Sequence, residues 1–125
     1  MKTSPEEKAW IKINSKTGDI TIRTELILDI PFSTGSKMFI HGETKPIWDD
    51  KTYDFKIVEC MEPGVSTFYF AVKGPTFTSN RDFLLHRKFI AGYKGWDYAL
   101  IYESVELNSQ PHRSKHVRGE MRDSI

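Results

Sequence analysis

The sequence predicts an α+β domain built on a curved antiparallel sheet of about seven strands with a short helical insert. Three observations carry this. Apolar and polar side chains alternate with a period of two along most of the chain, one segment keeps helical spacing instead, and glycine-bearing turns separate the alternating runs. Trp10 to Asn14 and Ile20 to Leu28 read as a hairpin through Ser15-Lys16-Thr17-Gly18-Asp19, with Ile20, Ile22, Leu26 and Leu28 forming a face to be buried. Between Asp29 and Asp49, Phe32, Phe39 and Ile40 recur at helical spacing after Pro31, and Gly42 stands where a left-handed cap would fall. That helix is short and rich in poor helix formers, so packing must stabilise it. Tyr53 to Met61 then turns through Pro63-Gly64 into Val65 to Lys73, where Phe68, Phe70 and Val72 share a side. Arg81 to Ile90, Gly95 to Glu103 and Lys115 to Ser124 complete the strands.

Composition narrows the function. The 125 residues carry 18 basic and 17 acidic side chains, a net charge of +1, which lacks the basic field of a phosphate-driven nucleic-acid binder. A chain of this length is expected to form one domain over residues 1–125, with 1–9 as a flexible leading segment. No run approaches the roughly 20 apolar residues of a membrane span, and MKTSPEEK lacks a signal-peptide core. A cytoplasmic protein is the expectation, and the single Cys60 excludes an internal disulfide framework and fits a reducing compartment.

Three blocks in order then carry a family resemblance. They are Lys45-Pro46-Ile47-Trp48-Asp49, placed ten residues before Glu59; Gly74-Pro75 through Ser79-Asn80-Arg81-Asp82-Phe83 to Arg87; and His116-Val117-Arg118 after Glu103-Ser104-Val105. Together they resemble START domains, the lipid-transfer domains related to the steroidogenic acute regulatory protein, with the second block closest to the phosphatidylcholine-transfer branch. The resemblance runs from about Trp10 to Ile125 and implies a helix-grip fold enclosing one lipid or sterol. The family pattern also has an N-terminal helix, two further strands and a gripping C-terminal helix, which this sequence does not contain. It is therefore expected to be a short form, a truncated product, or a subunit that completes its core with a second copy. By the same resemblance Arg87 matches a cavity arginine whose partner carboxylate would stand at Ala71, so that pairing is lost.

The residues themselves allow an independent reading. On a strand from Arg81, the side chains of Phe83, Leu85, Arg87 and Phe89 point one way and place a guanidinium among large apolar groups. Arginine cannot neutralise itself, so something polar must meet it: water, Glu59 or Glu103, or a lipid head group. The other arrangement sets Arg87 outside with Leu84 and Ile90 inside. Tyr69, Tyr98 and Tyr102 are the hydroxyl-bearing candidates for the same site. Trp48 and Asp49, with Asn80, Arg81 and Asp82, are expected to be structural, Trp48 as a core anchor and the last two tying the 76–80 loop to neighbouring strands. By the START resemblance the Gly74 to Asn80 loop borders the cavity entrance and is the candidate for ligand entry, with an ordinary surface turn as the equal alternative.

A lipid-binding or lipid-transfer domain with a ligand on the concave face is thus the leading expectation. An interaction module that buries the uncovered sheet face, as in a homodimer, is the first rival. A cyclase-like enzyme using His86 is the second and weaker one; no catalytic residue is assigned. No cofactor is expected, and no metal, because Pro111 and the strand-like sequence after it speak against a helical pair of His112 and His116. Arg113, Lys115, Arg118 and Arg122 suggest transient contact with an anionic membrane surface, or only a solvated strand edge.

Overall fold

The computed structural model describes residues 7–122 together with Ser124 and Ile125. The expected flexible segment at 1–9 falls outside the described residues as far as residue 6, whereas Lys8 and Ala9 already belong to a strand. By its internal contacts the chain divides into two compact units, Met1–Lys37 and Met38–Ile125.

In the first unit, strands β1 (Lys8–Ile13) and β2 (Ile20–Glu25) form the expected antiparallel hairpin. Gly18 supplies the turn with φ +77°, and Asn14 accepts the backbone N–H groups of Lys16 and Thr17. Ile11 faces Ile22 and Ile13 faces Ile20, as the alternation requires. The expectation of a buried face is corrected here: these four side chains are 62–69% exposed. β2 also ends at Glu25 rather than at Leu28, where alternation gives way to the continuous run Leu26-Ile27-Leu28.

Helix α1 (Phe32–Ile40) and the one-turn helix α2 (Lys45–Trp48) occupy the segment read as helical. Gly42 does not adopt a left-handed cap; it opens a 3-10 turn over Gly42–Thr44. Space explains the glycine, since a Cβ there would stand 2.8 Å from Cζ of Phe55.

The second unit is organised by a sheet in the order β3 (Thr52–Glu62), β4 (Val65–Val72), β5 (Asn80–Ala91) and β6 (Tyr98–Ser104), all antiparallel. The short β7 (His116–Arg118) pairs in parallel with Asn80–Asp82, the stretch of β5 that β6 leaves free. The expected last strand, Lys115 to Ser124, is thus broken. At Gly119 a Cβ would lie 2.1 Å from the Phe83 ring, so the chain turns where no side chain fits, and Ser124 returns as a single bridge to Tyr102.

Directly paired residues of an antiparallel ladder share a side, so the registers Phe68↔Leu85, Phe70↔Phe83 and Arg87↔Tyr102 define one face of the sheet. Phe68, Phe70 and Leu85 form its core, with Phe55, Val72, Phe83, Tyr102 and Met121 against them. The other face packs Tyr69, Ala71 and Leu84 against Val58, Val105 and Leu107.

On that second face Asp82 is 1% exposed and accepts from Nε of Arg118 at 2.9 Å and from the Tyr69 hydroxyl at 2.9 Å. Arg118 also donates to the Pro111 carbonyl at 3.2 Å, and Gly119 N–H donates to the Asp82 carbonyl at 2.8 Å. Three strands are thereby tied together. Burial raises the Tyr69 phenol to about 12, with Arg113 pulling it down and Asp82 pushing it up, so its proton stays in place. Removing one partner of a buried ion pair strands the other charge, so Arg118→Leu is expected to lower the unfolding free energy by about 3–5 kcal/mol in urea titrations. The double variant Arg118→Leu with Asp82→Leu recovers part of that loss; a double variant as unstable as the sum of both singles contradicts the pairing.

Candidate functional site

Where Met38 and Phe39, at the end of α1, and helix α2 line the aromatic face of the sheet, the second unit holds a pocket of about 230 Å³. Its floor is a run of rings, each positioned by the sheet register: Phe55 to Phe68 at 5.4 Å, Phe68 to Phe70 at 5.9 Å and Phe70 to Phe83 at 4.9 Å. Phe39, Lys45 and Trp48 line the helical side, with Leu85, Arg87 and Tyr102 on the sheet side.

Arg87 is half-buried and on the pocket side, where its Nη1 donates to the carbonyl of Ile40 at 2.6 Å. That oxygen ends helix α1 and has no intrahelical donor left to it, so the guanidinium satisfies an orphan acceptor at the negative end of the helix dipole. Tyr102 stands opposite it in the β5–β6 register and lines the same pocket, and the Phe68 ring lies 5.8 Å from the guanidinium carbon. Burial pushes the Tyr102 phenol up, with Arg87 partly opposing this. Neither Glu59 nor Glu103 meets the guanidinium: Glu103 pairs with His86 on the other face, and both glutamates are exposed. Ala71 is not the facing position either. It lies beside Asp82, while the β4 residue opposite Arg87 is Ser66.

The candidate ligand contacts divide accordingly. Arg87, Leu85 and Tyr102 line the pocket. Phe83 supports its floor from the adjacent core, and Phe89 stacks on Tyr98 at 5.6 Å on the same face but beyond the pocket lining. Tyr69 is displaced from the candidate site, because the strand alternation puts it on the opposite face with its hydroxyl held by Asp82 and Arg113. The spacing of Tyr69 from Phe68 already contained this signal. Lys45, Phe39 and Met121 were missed, since a lysine or methionine in a short helix or a tail has no pattern that marks it as a pocket residue.

Among the residues expected to be structural, Trp48 is corrected from core anchor to rim: it is 39% exposed, stands edge-on to Phe39 at 6.2 Å, and carries Lys45 Nζ over its ring at 4.9 Å. Asp49 ends α2 and accepts from Lys45 Nζ at 3.0 Å, Lys51 N–H at 3.1 Å and Thr52 Oγ1 at 3.0 Å. Asn80 accepts from Gly74 N–H at 3.0 Å and closes the 74–80 loop, and Gly74 has no room for a Cβ, which would fall 2.4 Å from the Ser79 carbonyl oxygen. Arg81 is exposed, with its Cα paired to Val117. At the loop tip Phe77 is fully exposed with φ +74°.

His86 faces away from the pocket, beside Thr67 Oγ1 at 3.5 Å. His112 stands 3.5 Å from Glu106, whereas His116 bonds the Tyr53 hydroxyl, so the two histidines serve different partners. The basic tail is largely committed: Arg113 to Asp54 at 3.0 Å, Arg118 to Asp82, and Arg122 to Glu120 at 2.7 Å. Cys60 is exposed on β3. Among the described residues, no helix is long and apolar enough to cross a membrane.

A bulged antiparallel sheet with two short helices is an α+β, START-like fold, as the three sequence blocks imply. The crystal structure of human STARD10 has this architecture: it matches with a TM-score of 0.80 and 19% identity over 94% of this chain and 48% of that one. The chain thus spans about half the length of that structure. No protein-family model and no curated protein matches the sequence.

For Asp49, burial raises the carboxyl, but the Lys45, Lys51 and Thr52 hydrogen bonds outweigh it and hold the group below its usual value. The ionised form is therefore favoured by folding, and its contribution is complete above pH about 4 and lost as pH falls through the lower folded value. Asp49→Asn is expected to lower stability at neutral pH and to flatten the acid limb of a stability profile measured by urea unfolding at stepped pH. Parallel profiles for both proteins contradict this.

Proposed function

We propose that the protein is a cytoplasmic, non-enzymatic lipid binder that takes a lipid or sterol against the aromatic face, with Arg87 and Tyr102 orienting the polar end. Leu85 and the phenylalanine floor above Phe83 hold the apolar part, and Phe89 with Tyr98 extends the same surface. The observation that carries the reading is the pairing of a continuous ring floor with one half-buried guanidinium that has no carboxylate partner among the described residues. The rings supply hydrophobic transfer energy of about 25 cal/mol per Å² buried, and the cation and hydroxyl supply direction. The START-like fold supports the same conclusion. Transient contact with a membrane surface is assigned to the loop bearing the exposed Phe77 rather than to the tail, whose arginines are paired.

Native mass spectrometry after incubation with vesicles of mixed phospholipid, fatty acid and sterol is expected to return the chain with a lipid bound. Trp48→Ala should lower occupancy with an unchanged melting curve. A chain recovered free of lipid under every composition would end the proposal.

One observation favours a second reading, a homodimer: the hairpin presents Ile11, Ile13, Ile20 and Ile22 as an exposed apolar face, and a lone two-stranded sheet is marginal in water. Sedimentation over a concentration series is expected to reveal dimer, abolished by Ile22→Lys. A monomer throughout rejects it.

A further inference from the structure

We propose that the pocket selects a single-chain amphiphile with a monoanionic head, a carboxylate on one acyl chain, over neutral and cationic heads; this rests on the lipid-binding reading above. The charges lining the pocket point one way. Among the described lining residues two are cationic, Lys45 and Arg87, and none is a carboxylate. Lys45 is neutralised by Asp49 at 3.0 Å, just behind the wall. Arg87 donates to a neutral acceptor, the Ile40 carbonyl. Two cations less one carboxylate leave a single uncompensated positive charge, which one carboxylate matches.

A half-buried guanidinium on a neutral acceptor still has N–H groups to donate, and an ionised acceptor makes the stronger bond. Tyr102 lines the pocket opposite Arg87 in the register, and a phenol has a hydrogen to donate to the same head. A quaternary ammonium finds the opposite. It needs ring faces free of other cations, but Lys45 already lies over Trp48 and Phe70, at 4.9 and 5.9 Å, and Arg87 over Phe68 at 5.8 Å. Volume selects the single chain. The pocket, about 230 Å³, falls short of the roughly 300–1,000 Å³ of sites for drug-sized ligands, which are themselves smaller than a two-chain phospholipid.

The test is calorimetric titration of the whole chain, at neutral pH and below micelle formation, with three probes sharing one tail: decanoate, decanol and decyltrimethylammonium. Decanoate is expected to bind about tenfold or more tighter than decanol, the gain of a charge-assisted hydrogen bond, with the ammonium weakest. Arg87→Gln should bring decanoate to within about twofold of decanol. If decanol binds as tightly as decanoate, or the ammonium binds best, the head-group assignment is wrong and the lipid-binding reading survives. If none of the three binds, that underlying reading fails. Should Arg87→Gln not fold, the three-probe series on the unaltered protein still decides; a folded variant that keeps the preference for decanoate overturns the role given to Arg87.

Discussion

A buried carboxylate must be met by donors, and Asp82 is the place where this chain satisfies that requirement. Its two oxygens are taken by Arg118 from β7 and by Tyr69 from β4, while its backbone carbonyl accepts from Gly119. Because side chains alternate along β5, Asp82 on one face dictates that Phe83, Leu85 and Arg87 stand on the other. A slip of one residue would put Arg81 or Phe83 where Asp82 now sits and turn Arg87 to the opposite face. The pairing thus sets the register from which the pocket follows.

The two faces carry opposite electrostatic solutions. On the Asp82 face, cation and anion are matched at contact distance and removed from water, an arrangement suited to holding strands in place. On the aromatic face, Arg87 is held by a helix-terminal carbonyl and stands opposite Tyr102 in the register. A neutral partner orients the guanidinium without cancelling its charge, so the pocket keeps a positive potential among rings that exclude water. The same residue type is structural at position 118 and ligand-directed at position 87, and the difference lies in the partner.

Much of the fold was legible as periodicity. Alternation marked the hairpin and the four long strands, and it put Phe68 with Phe70, and separately Phe83 with Leu85 and Arg87, each on one side; the β4–β5 register joined the two sets. The failures have specific causes. Gly42 and Gly119 resemble a cap and an ordinary strand residue until the Phe55 and Phe83 rings are seen against them. Trp48 is large enough to suggest a core, yet α2 is a single turn whose indole lies at the pocket rim. The basic tail resembled a membrane patch because charge counts do not show that Arg113, Arg118 and Arg122 each have an acid at contact distance.

By itself the sequence determined which residues could share a side and that a lone guanidinium would stand among apolar groups, because a strand's two-residue period is a local property of the backbone. Only the tertiary structure decided what meets that guanidinium. Its partner is the main-chain oxygen of Ile40, 47 residues earlier, and a backbone carbonyl has no letter in the sequence. Which acceptor lies within reach depends on where a helix ends in space, and packing sets that.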